Sequence, residues 1–249
     1  MTDQTPEQTS GVTSAKRETT QPKRRRRSVL ADVTQTLAIA LVLAILIKTF
    51  LVQAFYIPSP SMSNTINVGD RIMVSLLAPG PLELSRGDIV VFKDPGGWLD
   101  VPPAPERGPV VQAVVNVLTW VGLLPQHSGE HLVKRVIGLP GDTVECCSAA
   151  GELIVNGVSI TEPYLADPNW YAASDRPEDT FSVIVPPNAV WVMGDNRSNS
   201  LDSRHHRNNL SDGAVPLYEV VGVAFLRSWP LSEIGLLRNP GAVFANVPY

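Results

Sequence analysis

Five consecutive cations, Lys23 to Arg27, stand just ahead of a long apolar run that reaches Ala54. Val33 to Ala54 spans 22 residues, about 33 Å as an α-helix, and the bilayer core is about 30 Å thick. Its centre, Leu37 to Ile47, has no polar side chain. Lys48 interrupts the run near one end, where a long side chain can reach back to the headgroups. Phe55 and Tyr56 suit the interface. A charged head before an apolar stretch also describes a cleavable signal peptide. The length of both parts favours an uncleaved anchor. The positive-inside rule then puts the cation cluster in the cytoplasm and everything after Tyr56 outside the cell membrane, as a single-pass protein.

Charge divides the chain in the same way. Seven of the 20 basic residues fall in the first 30, against three acidic ones, leaving 13 basic and 21 acidic residues downstream. An acidic body argues against nucleic acid as a partner. Residues 1–28 are rich in Thr, Gln, Ser and Pro and read as a disordered basic cytoplasmic tail. Residues 29–55 read as the transmembrane anchor, and 56–249 as an extracytoplasmic β-rich region.

That region consists of short β-like runs separated by turn residues: 71–77, 88–92, 132–138, 142–147, 152–157, 181–185, 189–195 and 220–227. Turn signals such as Arg86-Gly87-Asp88, Pro140-Gly141-Asp142 and Asn156-Gly157 lie beside them. The expected fold class is mainly β: one N-terminal transmembrane helix, then an all-β catalytic region. An insert at about 97–130 breaks the rhythm with a helical pattern over 109–125, too short to span a membrane. The pattern suits equally an interfacial helix and a cap on the β-core. The only cysteines, Cys146 and Cys147, are adjacent. Neighbouring thiols are the simpler state, a vicinal disulfide the strained alternative, and neither a zinc site nor a functional role is read from them.

A serine nucleophile needs a base and donors for the oxyanion. No G-x-S-x-G or H-E-x-x-H motif is present, so neither a nucleophile elbow nor a zinc protease is indicated. His205 or His206 with Asp202 leaves a Ser-His hydrolase open; His127 and His131 flank the insert. Of the five lysines, Lys16, Lys23 and Lys48 precede the outer region. Lys93 sits in a loop-like stretch that would solvate it. Lys134 lies in HLVKRVIG, where strand alternation turns it to the face of Leu132 and Val136 and Arg135 to the other. A lysine on an apolar face has its pKa lowered, which a lysine base requires. A strand lysine is ordinarily solvated, so this strand alone does not single it out.

Four stretches in order, IPSPSM after an anchor, RGDIVVF, KRVIGLPGD and GDNRSNSLDSR, resemble bacterial type I signal peptidases, membrane-anchored Ser/Lys enzymes. The resemblance runs from the anchor to about residue 227, leaving out the head, the insert and the tail. It implies Ser61 as nucleophile, with Met62 beside it in the substrate groove, and Lys134 as general base. Ser59 would join the Ser61 backbone N–H in the oxyanion hole. Ser200 would hydrogen-bond Lys134, while Asp195, Asp202 and Arg204 brace the site. Asp202 and Arg204 share strand parity with Ser200, which suits a supporting ion pair. The family commonly has proline two residues after the methionine, where this chain has Asn64, itself a turn former. The implied substrate is a signal peptide, added as an extended strand with small side chains one and three residues before the cut. No cofactor or metal is implied. A non-catalytic binding domain docking through 109–125 is the alternative outside enzymology.

Overall fold

A computed structural model describes residues 29–99, 108, 111, 113, 131–172, 176–208 and 211–248, without the side chains of Leu30 and Lys48. The basic tail, His127 and nearly all of the insert, with its expected helix, lie outside the described residues. The chain divides into two compact units, Met1–Leu41 and Val42–Tyr249.

Helix α1 runs Val29–Phe50, and most of its described large apolar side chains, among them Leu37, Ile39, Leu41, Leu43 and Ile47, are exposed. Counting the described residues alone, no helix is long and apolar enough to cross a membrane. The helix ends four residues earlier than the apolar run suggests. Val52–Tyr56 is instead strand β1, paired antiparallel with β2, Arg71–Ser75. Val52, Phe55 and Tyr56 are strand formers. Phe55, opposite Ile72 and 1 % exposed, joins a buried apolar cluster that a continued helix would leave unfilled.

Ten further strands follow: β3 Ile89–Lys93, β4 His131–Gly138, β5 Thr143–Cys146, β6 Leu153–Val155, β7 Val158–Ile160, β8 Phe181–Ile184, β9 Ala189–Met193, β10 Val215–Pro216, β11 Val220–Trp229 and β12 Gly235–Leu236. All eight expected runs are strands. Beyond them the structure adds β1, β7, β10 and β12, too short or too close to other features to stand out as periodic runs. All pairings are antiparallel. One sheet has the order β1-β2-β11-β3-β4-β9-β10, with β12 on β11; the other has the order β7-β6-β5-β8.

The central strands β3 and β9 are buried on both faces, so they read as unbroken apolar runs rather than alternations. Ile89 and Val91 face one apolar cluster with Phe55, Met62 and Ile72; Val90 and Phe92 face a second with Leu132, Val136 and Val192. A third cluster, with Trp191, Ile137, Val144 and Leu153, fills the smaller sheet. Cys146 and Cys147 form a vicinal disulfide at the end of β5, not the paired thiols expected as the simpler state.

Candidate active site

The nucleophile candidate sits on a single 3-10 turn, Pro60–Met62, with Pro60 at its first position and Ser63 N–H closing onto Pro60 C=O at 3.0 Å. Asn64 follows with φ +80°. Proline is locked near −65° and cannot take that backbone, whereas Asn tolerates the left-handed region. Asn64 also stiffens the turn directly: its Nδ2 donates to the carbonyls of Tyr164 at 3.1 Å and Leu165 at 3.3 Å.

Lys134 reaches this turn from β4, opposite Val90 of β3. Its Nζ stands 2.8 Å from Ser61 Oγ and 3.2 Å from Val133 C=O. Protonated, it donates to Oγ; neutral, it accepts the Oγ proton. Both side chains are buried, Lys134 at 3 % exposure. Burial is the main cause that pulls the Lys134 amine from 10.5 down to about 8; nearby Asp202 pushes it back up and Arg204 pushes it further down. Ser59 Oγ lies 3.3 Å from Ser61 Oγ.

The loop after β9 locks the Ser61 backbone. Asn196 N–H donates to Ser61 C=O at 3.0 Å, and Asn196 Nδ2 to Pro60 C=O at 3.2 Å. A Cβ on Gly194 would lie 2.5 Å from Ser61 O and closer still to Ser200 Oγ, so only glycine fits. Ser200 therefore stands beside the turn, but among the described residues its buried Oγ has no hydrogen-bond partner, so it does not hold Lys134 as expected.

Asp202 and Arg204 form the expected ion pair, Arg204 Nε to Asp202 Oδ1 at 2.9 Å, but not on a strand. Asp202 caps a 3-10 helix, Ser203–His206, and accepts the Gly194 N–H at 3.0 Å. Burial opposes ionisation of Asp202, yet Arg204, close His205 and these hydrogen bonds hold its carboxyl well below the usual range. Arg204 also pairs with Asp179. Asp195 is braced by a different arginine: Arg135 donates to it from Nε at 2.8 Å and from a terminal nitrogen at 2.6 Å. Thr65, just past the nucleophile turn, donates to the same carboxylate at 2.5 Å. Arg135 goes further and reaches Gly87 C=O at 2.8 Å.

Arg135, Thr65, Gly194 and Asn196 were not singled out from the sequence. Two of them lie in the GDNR stretch, and alternation assigned Arg135 merely to the other face. That face is also buried, leaving Arg135 1 % exposed, and a buried arginine needs a carboxylate.

A mostly apolar cavity of about 80 Å³ opens beside Ser59, Ser61 and Lys134, lined also by Phe55, Ile57, Met62 and Leu99. Two strand edges flank it. β1 pairs only with β2, and β4 pairs with β9 only from Arg135 onward, so Leu132 to Lys134 offer an edge without a strand partner on that side among the described residues. His205 and His206 are engaged away from Ser61 among the described residues. His205 Nε2 is 3.6 Å from Glu178 and its Nδ1 3.8 Å from Asp202, and His206 stacks on Trp98.

The profile of the family described as "Signal peptidase, peptidase S26" matches residues 30–229. This chain belongs to the S26 signal peptidase family. Signal peptidase I of Mycobacterium tuberculosis H37Rv is 37% identical over 254 aligned positions, covering 95% of this chain and 85% of the relative. The probable signal peptidase I of Mycobacterium leprae is 36% identical, covering 85% and 80%. Signal peptidase I of Bacillus amyloliquefaciens is 32% identical, covering 85% and 95%. A signal peptidase I crystal structure from Enterococcus faecalis V583 is similar at 28% identity and a TM-score of 0.34, covering 57% of this chain and 97% of that one. S26 membership covers all the site elements described above.

Proposed function

We propose that this chain removes signal peptides from exported preproteins as a serine endopeptidase with a Ser61–Lys134 dyad. The 2.8 Å approach of Lys134 Nζ to Ser61 Oγ in a buried setting is the observation that carries this reading. An amine with its pKa drawn down to about 8 is partly neutral near physiological pH and can take the Ser61 proton. Ser61 Oγ then attacks the scissile carbonyl, and the developing oxyanion meets the Ser61 N–H and the Ser59 hydroxyl. Lys134 returns the proton to the leaving amine. It next draws a proton from water, which attacks the acyl-enzyme and frees Ser61.

The substrate enters extended, its backbone pairing with the open edges of β1 and of residues 132–134, its small side chains turned into the cavity. We further infer that α1 anchors the chain in the membrane with the Lys23–Arg27 cluster in the cytoplasm. A 22-residue helix with exposed apolar side chains supports this, as does the wholly apolar stretch Leu37–Ile47. Enzyme and membrane-bound substrate then share one surface, which raises their effective concentration.

The test is cleavage of a preprotein carrying a small-x-small site by wild type, Ser61→Ala and Lys134→Ala. Either variant is expected to lose at least about a thousandfold in rate, the combined worth of nucleophile or base. Substantial cleavage by Lys134→Ala, with loss in His205→Ala, would move the assignment to a Ser-His enzyme. Alkaline extraction of membranes and protease protection of the N-terminus test the anchor and its orientation.

A further inference from the structure

Leu99 is the last residue before the undescribed part of the insert, and it lines the cavity beside Ser61, Met62 and Lys134. The reaction itself asks nothing of it, yet the turn carrying it is held from several sides. The Asp94 carboxylate accepts from the N–H groups of Gly96 at 2.9 Å, Trp98 at 3.0 Å and Leu99 at 3.2 Å. Trp98, 4 % exposed, sinks into the cluster of Val90, Leu132 and Val136 and meets Phe92 edge-on at 5.6 Å. The ring of His206 stacks on Trp98 with centroids 4.3 Å apart and planes 13° from parallel.

Trp98 Nε1 and His206 Nε2 are both buried and make no hydrogen bond to any described residue. Ring contact rather than a polar bond therefore joins the two. His206 closes the short helix that Asp202 caps, so one segment supports both the Lys134 environment and the cavity wall.

We propose that Leu99 sets the size of the substrate side chain admitted beside Ser61, and that the Trp98–His206 stack is the positioning pair that keeps Leu99 at the wall. This rests on Ser61 being the nucleophile. A cavity of about 80 Å³ is far smaller than the 300–1,000 Å³ of sites for drug-sized ligands. Each wall atom therefore counts. Leu99→Ala removes three carbons from that wall, and one methylene in an apolar pocket is worth roughly 10–200-fold in discrimination.

The experiment uses the full chain in detergent with three preproteins: Ala at both positions one and three before the cut, Val at the first alone, and Val at the third alone. The readout is the Ala-to-Val ratio of kcat/KM within one preparation, which does not depend on the fraction folded. Leu99→Ala is expected to shrink that ratio at one position by about tenfold or more. His206→Ala should shrink it at the same position by a smaller factor, while His206→Phe, which keeps a stacking ring, holds the wild-type ratio. An unchanged ratio in Leu99→Ala overturns the proposal, and Leu99→Val supplies the same reading if the alanine variant is inactive. A shift in Leu99→Ala without one in His206→Ala overturns the positioning role of the stack. Cleavage persisting in Ser61→Ala would instead remove the nucleophile assignment beneath both.

Discussion

The backbone N–H of Asn196 donates to the carbonyl of Ser61 across 3.0 Å. With the Asn196 Nδ2 bond to Pro60 C=O, it joins the loop after β9 to the nucleophile turn, although the two are far apart in sequence. The loop's closeness to Ser61 follows from it, and so does the need for glycine at 194, whose added Cβ would come 2.5 Å from the same carbonyl oxygen. Gly194→Ala must therefore push the turn or the loop aside. Displacing a reacting group by about 1 Å costs on the order of a hundredfold. We expect kcat to fall by about that factor with little change in KM, measured by steady-state preprotein cleavage. A variant with wild-type kcat would show the turn has slack that the packing does not suggest.

Asn64 combines a left-handed backbone with two side-chain hydrogen bonds to residues 164 and 165. Asn64→Gly keeps the backbone and loses the clip, so it should cost about 1–2 kcal/mol. Asn64→Pro cannot adopt φ +80° at all and should lose more stability as well as activity. Thermal unfolding of the two variants orders them. Proline proving the milder change would contradict the backbone argument.

Such effects mark what the residue pattern could and could not reveal. All eight runs became strands because alternation, or in β3 and β9 a short unbroken apolar run between turn residues, is a local signal that survives without tertiary knowledge. Parity put Lys134 on the face of Leu132 and Val136, a local property, but the strand alone did not single it out, and its role as base came from the resemblance. Ser61 and Ser59 came from the resemblance, and their adjacency fits it. The strand imagined for Ser200 to Arg204 failed because those residues are held by partners outside the segment, Gly194 and the more distant Asp179, that no local period encodes. Arg135 stayed hidden for a related reason. Alternation says which face a side chain takes, not whether that face is covered. The end of α1 was misjudged because Val52, Ala54 and Phe55 continue the apolar run past Phe50, and composition does not show where helix gives way to strand.

Arg135 and Asp195 form a buried two-point ion pair that Thr65 shares. Breaking a buried pair by removing one partner typically costs about 3–5 kcal/mol, since the other charge is left uncompensated. Arg135→Met should fall in that range by chemical denaturation, and Arg135→Lys should recover only part of it because an ammonium cannot offer the planar fork. Equal stability of the lysine variant and wild type would mean the two-point geometry is unimportant.

The acid limb of the pH–rate profile should report Lys134. Only the neutral amine accepts the Ser61 proton, so kcat/KM should rise with pH and level off above about 8. Asp202 is the carboxylate that most raises the Lys134 pKa. Asp202→Asn removes that charge and should move the limb to lower pH, even in a preparation partly unfolded, because the limb's position does not depend on yield. A limb that stays in place would mean that Asp202 acts on structure alone.

Burial of Lys134 also makes a stability claim, with a sign that runs opposite to the usual ion-pair case. Its folded pKa of about 8 lies below the 10.5 of an unperturbed lysine. Below pH 8 the folded protein must hold a buried ammonium, a penalty fully present there and worth about 3 kcal/mol for a drop of this size. As pH rises from 8 to 10.5 the unfolded chain still binds the proton while the folded one has released it, so the penalty fades. Lys134→Met keeps the volume and removes the charge. At pH 7 it should therefore unfold at a higher temperature than wild type while losing activity, and the gap should close as pH approaches 10.5. A variant less stable than wild type at pH 7 would show that the Lys134–Ser61 bond outweighs the burial of charge.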